Sequence, residues 1–460
     1  MDNLSGCGFG LLIRRPPRPF RWVRARFEGI GRGLISGFSP CLSFSPSFLL
    51  GSLHSTILHR STPMLRFRAR RYDTLAPVEI TVGQGLINSI QPLDHAHAPD
   101  DLPLVAPSLF DLQINGYGGH WFSDAALTTN QVVLIADRLA GFGIGPFLPT
   151  IVTNTSDVMH RSLRAVVQAA AEVPRFQQRM IGIHLEGPWI SPRDGPRGAH
   201  PAHAVRLPDL EEFDSLQRAA RGLIRLVTLA PELPGIIRFI RELVARGVVV
   251  ALGHTAANAD EIHAAIDAGA TLGTHLGNGL EARIHRHHNP LWPQLADDRL
   301  TCSLIADGQH LPPDFLKTVL RAKPADRVLL TCDLSGWAGL PPGEHHSAWG
   351  ACEVLESGKL VVAGQREFLA GSHLGLGDCV ATAAMLGGIS LAQAIDLATI
   401  QPRRLLNLPS PGLTPGAPAD LILFREPQPA PHGLNASLPI LLTLHHGDVL
   451  HQAEGFAWPV

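Results

Sequence analysis

No stretch of this chain approaches the roughly 18 to 20 consecutive apolar residues that a membrane span requires, so the sequence offers no membrane partner. Its six cysteines show no CxxC spacing, and two of them, Cys7 and Cys41, lie in an atypical N-terminal segment. That pattern argues against a disulfide framework and fits free thiols in a reducing compartment, the cytoplasm. An excess of positive charge is also missing. The formal charge is −2, and residues 1–63 hold eight Arg against Asp2 and Glu28, so the remainder stands at 30 minus 38, or −8. A mildly acidic body has no use for nucleic acid, and HRHH at 285–288 reads as a loop rather than a basic patch. Hydrophobic residues at 45% against 17% charged describe a well-packed globular protein, and 460 residues exceed one ordinary core.

The organising stretch runs from Gly247 to Leu280, GVVVALGHTAANADEIHAAIDAGATLGTHLGNGL. Val248 to Leu252 is an unalternating apolar run, which predicts a strand buried on both faces and ending at His254. Asn258 with Glu261 three residues on predicts a capped helix, with Ile262, Ala265 and Ile266 on one face and Gly269 at its stop. Ala270 to Leu276 predicts a second strand, parallel to the first through a right-handed crossover. His254 and His275 then emerge side by side. A third run, Met180 to Glu186 (MIGIHLE), ends in a carboxylate before Gly187 and Pro188. Two imidazoles and a carboxylate from three parallel strands make an open ligand set for one divalent ion, zinc or iron.

Eight buried strand candidates stand between the chain ends: Pro107–Leu112, Pro146–Thr153, Met180–Glu186, Ile224–Ala230, Val248–Gly253, Ala270–Leu276, Thr301–Ala306 and Val328–Cys332. Most are followed by helical stretches, which predicts an α/β fold with a (β/α)8 TIM-like barrel. Short strands at 64–105 and again from 409 to 460 predict a small β-sandwich domain built from both chain ends, with the barrel at 106–408. Residues 1–63 are rich in Arg, Ser, Pro and Phe without sustained periodicity, which predicts a disordered extension. It reads as a misassigned start upstream of Met64 in preference to a targeting peptide.

Polar residues gather where the barrel strands end: Gln113 and Asn115, Glu186, His254, His275, Asp307 and Asp333. Asp333 is placed to act as general base and acid across the barrel mouth from the metal. Gln113 and Asn115 occupy the DLQING positions where many hydrolases of this architecture carry two His. Neutral amides ligate zinc-like ions poorly, so a single metal is expected, with Gln113 at most touching it or its water. Beyond the strands, GPRGAH places His200, GNG offers backbone N–H groups at 277–279, and IADGQH places His310, a set suited to a carbonyl and an anion, with Arg286 a candidate for the anion.

Taken together, HLEGPW, GAH, the GH of ALGHTAANADEI, THLGNG, IADGQH, TCDLSGWAGLPPG, LAGSHLGLGDCV and PGAPADLILF resemble the N-acetylglucosamine-6-phosphate deacetylases of the amidohydrolase superfamily over residues 64–455. The resemblance implies metal-dependent hydrolysis of the N-acetyl amide of an amino-sugar phosphate, by a homodimer. It implies Glu186, His254 and His275 as metal ligands, Asp333 as base and acid, and His200 as the carbonyl-orienting residue. Asn278 and Gly279 match a phosphate-contacting backbone pair, while His310 and Arg286 match residues reaching the phosphate across a dimer interface. Three departures touch the substrate pocket: GNGL where FNAM is usual, EARIHRHHNP where a segment ending HHREPG is usual, and Trp337 where a small residue is common. Other substrates therefore stay in view, namely a different N-acyl amino sugar, an N-acyl amino acid or a cyclic amide. A non-catalytic sugar-binding protein is the alternative of another class.

Overall fold

The computed structural model describes residues 64–94, 99, 101–347, 350–430 and 435–459; the expectations for residues 1–63 lie outside them. Eight parallel strands follow one another around a barrel in chain order: Leu109–Ile114, Ile144–Val152, Ile183–Glu186, Ile224–Leu229, Val249–Leu252, Leu272–Gly273, Thr301–Ile305 and Val328–Thr331. Nearly every residue in them is buried, as strands covered on both faces require. Phe110, Leu112, Leu148, Leu226, Ala251, Leu272 and Leu329 come from six different strands yet form one cluster with Leu406. Only the barrel interior brings such residues together, so the barrel is a packed core whose one open end is the site.

The helix after the fifth strand shows how local sequence sets this geometry. The Asn258 side chain accepts from Glu261 N while Glu261 reaches back to Asn258 N, closing a capping box at the start of Ala259–Asp267. Loss of such a cap costs about 1 kcal/mol. Ile262, Ala265 and Ile266 are the buried face, as their spacing predicts. The sixth strand is shorter than Ala270 to Leu276, because the chain leaves the ladder after Gly273 and turns His275 inward.

The first and eighth strands meet through a side chain. Fully buried Asp111 accepts from Thr331 Oγ1 at 2.5 Å, Cys332 N at 2.9 Å and its own strand's Gln113 N at 2.9 Å. A parallel bridge between Ile114 and Leu334 completes the seam.

The chain ends build one seven-stranded mixed sheet, in the order Asp448–Gln452, Ile440–His445, Leu421–Phe424, Leu104–Pro107, Leu65–Arg71, Pro77–Gly83, Leu86–Pro92. Alternation along Leu421–Phe424 explains its two-sided burial: Leu421 and Leu423 enter the sheet's own core, Ile422 and Phe424 the main barrel core. An element that the sequence reading did not anticipate follows the eighth strand. It is a four-stranded antiparallel sheet of Gly343–Ser347, Gly350–Val354, Leu360–Val362 and Gln365–Leu369.

Candidate active site

Glu186 ends the third barrel strand, His254 and His275 stand two residues beyond the ends of the fifth and sixth, and their ligating atoms converge. Glu186 Oε1 lies 3.1 Å from Nε2 of each histidine, and the two Nε2 atoms are 3.0 Å apart. All three side chains are buried. Ligands about 2.0–2.1 Å from a shared tetrahedral ion stand roughly 3.3 Å apart, so this spacing suits one cation. The tautomer agrees. His254 Nδ1 donates to Pro196 O at 3.0 Å, which leaves the Nε2 lone pair facing the cluster. Burial alone would raise the Glu186 carboxyl, but the two imidazoles 3.1 Å from its Oε1 hold it well below the usual range.

The backbone is bent to present these groups. His254, His275 and Asp333 all adopt left-handed φ values, +52°, +31° and +53°. Such conformations cost roughly 1–3 kcal/mol each for non-glycine residues and are tolerated where the surroundings over-determine them. At Gly279, also left-handed, an added Cβ would stand 3.1 Å from His254 Nδ1, so the GNG loop closes directly over the ligand.

Gln113 and Asn115 have distinct tasks. Gln113 Nε2 donates to Glu186 Oε1 at 2.8 Å, so it orients the carboxylate of the cluster. Asn115 Nδ2 donates to Asp333 Oδ1 at 2.7 Å, leaving Oδ2 open to the cavity. Burial first, and the charge of Glu186 second, push the Asp333 carboxyl up to about 7. His200 Nε2 lies 3.2 Å from His254 Nε2, and burial first, with the neighbouring His254 second, lowers its pKa to about 3, keeping it neutral. His184, two residues before Glu186, is satisfied on both nitrogens by Leu112 O and Thr228 Oγ1 and braces the floor instead.

Asn278, Gly279 and His310 line the same cavity of about 640 Å³ with the cluster, His200 and Asp333. His310 is held by Asp307. That carboxylate accepts from Gln309 N, His310 N, His310 Nδ1 at 2.7 Å and Ser372 Oγ at 3.1 Å. Arg286 is not brought in: it is exposed, its backbone carbonyl accepts from Trp292 Nε1, and its side chain does not line the cavity of its own chain. Trp337 forms part of the wall, edge-on to Trp121 at 4.8 Å. Sequence reasoning missed Lys359, which also lines the cavity. Its signal was the turn residues SGK between two apolar runs, CEVL and LVV. A second grouping of ligand-type residues, Asp420, His445 and His446, lies on the terminal sheet, where Asp420 pairs with His445 Nδ1 at 3.0 Å.

A barrel with a Glu–His–His cluster and a raised carboxyl at its open end defines a metal-dependent hydrolase architecture, and residues 104–450 match the amidohydrolase family, to which the chain belongs. Within that family it stands among amino-sugar-phosphate deacetylases and is thus a hydrolase of amide carbon–nitrogen bonds. It is 34% identical over 362 residues to human N-acetylglucosamine-6-phosphate deacetylase, covering 76% of this chain and 84% of that enzyme. Against the N-acetylgalactosamine-6-phosphate deacetylase of Escherichia coli O157:H7 it is 31% identical over 361 residues, covering 77% and 93%. The solved structure of N-acetyl-D-glucosamine-6-phosphate deacetylase from Mycobacterium smegmatis matches with a TM-score of 0.73 at 29% identity, covering 84% of this chain and 99% of that one.

Proposed function

We propose that the protein hydrolyses the N-acetyl amide of an amino-sugar 6-phosphate, N-acetylglucosamine 6-phosphate first, giving the free amine and acetate. The observation that carries this reading is Asp333 facing the Glu186–His254–His275 cluster inside one cavity. Those three residues would hold one divalent ion, zinc or iron, which when bound polarises a carbonyl and lowers the pKa of a water. Asp333 takes a proton from the attacking water at Oδ2, since Oδ1 is occupied by Asn115. After the water oxygen bonds to the acetyl carbon and the carbon–nitrogen bond breaks, the same carboxyl returns that proton to the departing amine. Neutral His200 donates to the acetyl carbonyl and fixes its orientation. Asn278, Gly279 and His310 face the phosphate, and Arg286 reaches it from the second subunit of a homodimer in the cytoplasm.

A galacto-configured sugar is the second reading. It is favoured by near-equal identity to gluco- and galacto-specific relatives and by Trp337 in the cavity wall. A deacetylation assay on gluco and galacto N-acetylhexosamines, each with and without a 6-phosphate, decides. Turnover of the phosphorylated gluco sugar at the highest kcat/KM is expected. The highest value on the galacto sugar would transfer the assignment, and no turnover of any of the four would remove it.

A further inference from the structure

A dianionic phosphate entering this cavity meets the carboxylates of Glu186 and Asp333, Glu281 being paired with Arg193 at 3.2 Å, so a cation of the same chain would add to the Arg286 proposed to reach in from a second subunit. Among the described residues that line it, only one is a lysine or arginine, and that is Lys359. No hydrogen-bond or ion-pair partner of its ammonium occurs among the described residues, and the residue is half-buried rather than solvated. We infer that Lys359, delivered by the inserted four-stranded sheet of the same chain, is a specificity-determining cation for the substrate phosphate. The inference rests on the sugar-phosphate reading above.

The insert is built to hold that cation in place. Lys359 closes the turn between Gly350–Val354 and Leu360–Val362, where Leu355 N donates to Lys359 O and Gly358 N to Leu355 O. Gly358 has φ +83°, and an added Cβ there would stand 2.7 Å from the ring of His373, so the turn rests directly on the SHLGLG segment. That segment is tied to the barrel: Ser372 Oγ donates to Asp307, the carboxylate that also fixes His310. Lys359 is close enough for its charge to oppose protonation of His310, and His310 in turn acts on His373. Lys359, from the insert, and His310, from the loop beyond the seventh barrel strand, therefore line the same cavity within range of each other's charge. Leu369, Ala370 and Gly371, at the end of the insert, line the same cavity, so the insert forms part of its wall.

The test compares wild type, Lys359→Met and Lys359→Arg on N-acetylglucosamine 6-phosphate and on N-acetylglucosamine, with the melting temperature of each variant as the folding control. Loss of a charge-assisted contact predicts that Lys359→Met raises KM for the phosphorylated sugar about 10- to 100-fold. It should leave kcat within about twofold and the kcat/KM of the unphosphorylated sugar unchanged; Lys359→Arg should restore most of the loss. The inhibition constant of inorganic phosphate should rise in parallel in Lys359→Met. A wild-type preference for phosphate that survives Lys359→Met overturns the role of Lys359 alone. Equal kcat/KM of the wild type on both sugars overturns the phosphate reading, and this inference with it.

Discussion

Replacing Asp333 by Asn keeps the shape of the side chain and its neighbour Asn115 but removes the proton carrier. General acid–base catalysis contributes about 10²- to 10⁴-fold, so kcat should fall by that factor while the thermal melt stays cooperative. Turnover within tenfold of wild type would refute the role. His310 permits a prediction about pH. Burial opposes its charge, but Asp307, by charge and hydrogen bond, raises its pKa above the ordinary histidine value, and Asp307 itself is held at about 2. A raised histidine stabilises fully below its unfolded pKa, about 6.5, and the contribution is lost as pH rises through the folded value. The melting-temperature gap between wild type and His310→Gln should thus be widest below about pH 6.5 and narrow as the pH rises above it. A gap that widens with pH would show the histidine to be neutral.

The seam between the first and eighth strands depends on Asp111 rather than on a regular ladder. Asp111→Ala would strand Thr331 Oγ1, Cys332 N and Gln113 N in a fully buried place. Leaving a buried donor without its partner costs about 1–3 kcal/mol, to be read as a lower urea midpoint. Activity should fall further than stability explains, since Asp333 follows Cys332 directly. The strands were legible because both faces are buried and apolar runs end at polar residues; Glu186, His254, His275 and Asp333 were found in this way. Asp111 was not legible, because its partners lie 220 and 221 residues away and nothing local distinguishes it from a turn aspartate. The four-stranded insert was overlooked for another reason. Its strands are short, partly exposed and rich in charge, as in GEHHS and QREFL, so neither the apolar-run nor the alternation signal is strong.

Purified protein should carry close to one divalent ion per chain, and His254→Ala or His275→Ala should lose the ion together with activity. A second equivalent retained by both variants would locate another site, for which the Asp420–His445–His446 grouping is the candidate to mutate. A chain started at Met64 is expected to fold and to keep its activity, because the described partners of Leu65–Arg71 are Pro77–Gly83 and Leu104–Pro107. Insoluble protein from that shortened chain would contradict this.

The terminal sheet also sets the order in which a newly made chain can mature. Leu104–Pro107 pairs with Leu421–Phe424, Pro107 standing opposite Leu421, a separation of 421 minus 107, or 314 residues. While the ribosome is still working, the strands Leu65–Arg71, Pro77–Gly83 and Leu86–Pro92 can form a meander, but one flank of Leu104–Pro107 stays unpaired. Barrel strands separated by only tens of residues can associate first, because ordering short loops costs less entropy. An unpaired edge invites pairing with another chain. Translation that halts before Leu421 should therefore yield a product prone to aggregation, even though every metal-ligating and proton-carrying residue has already been made.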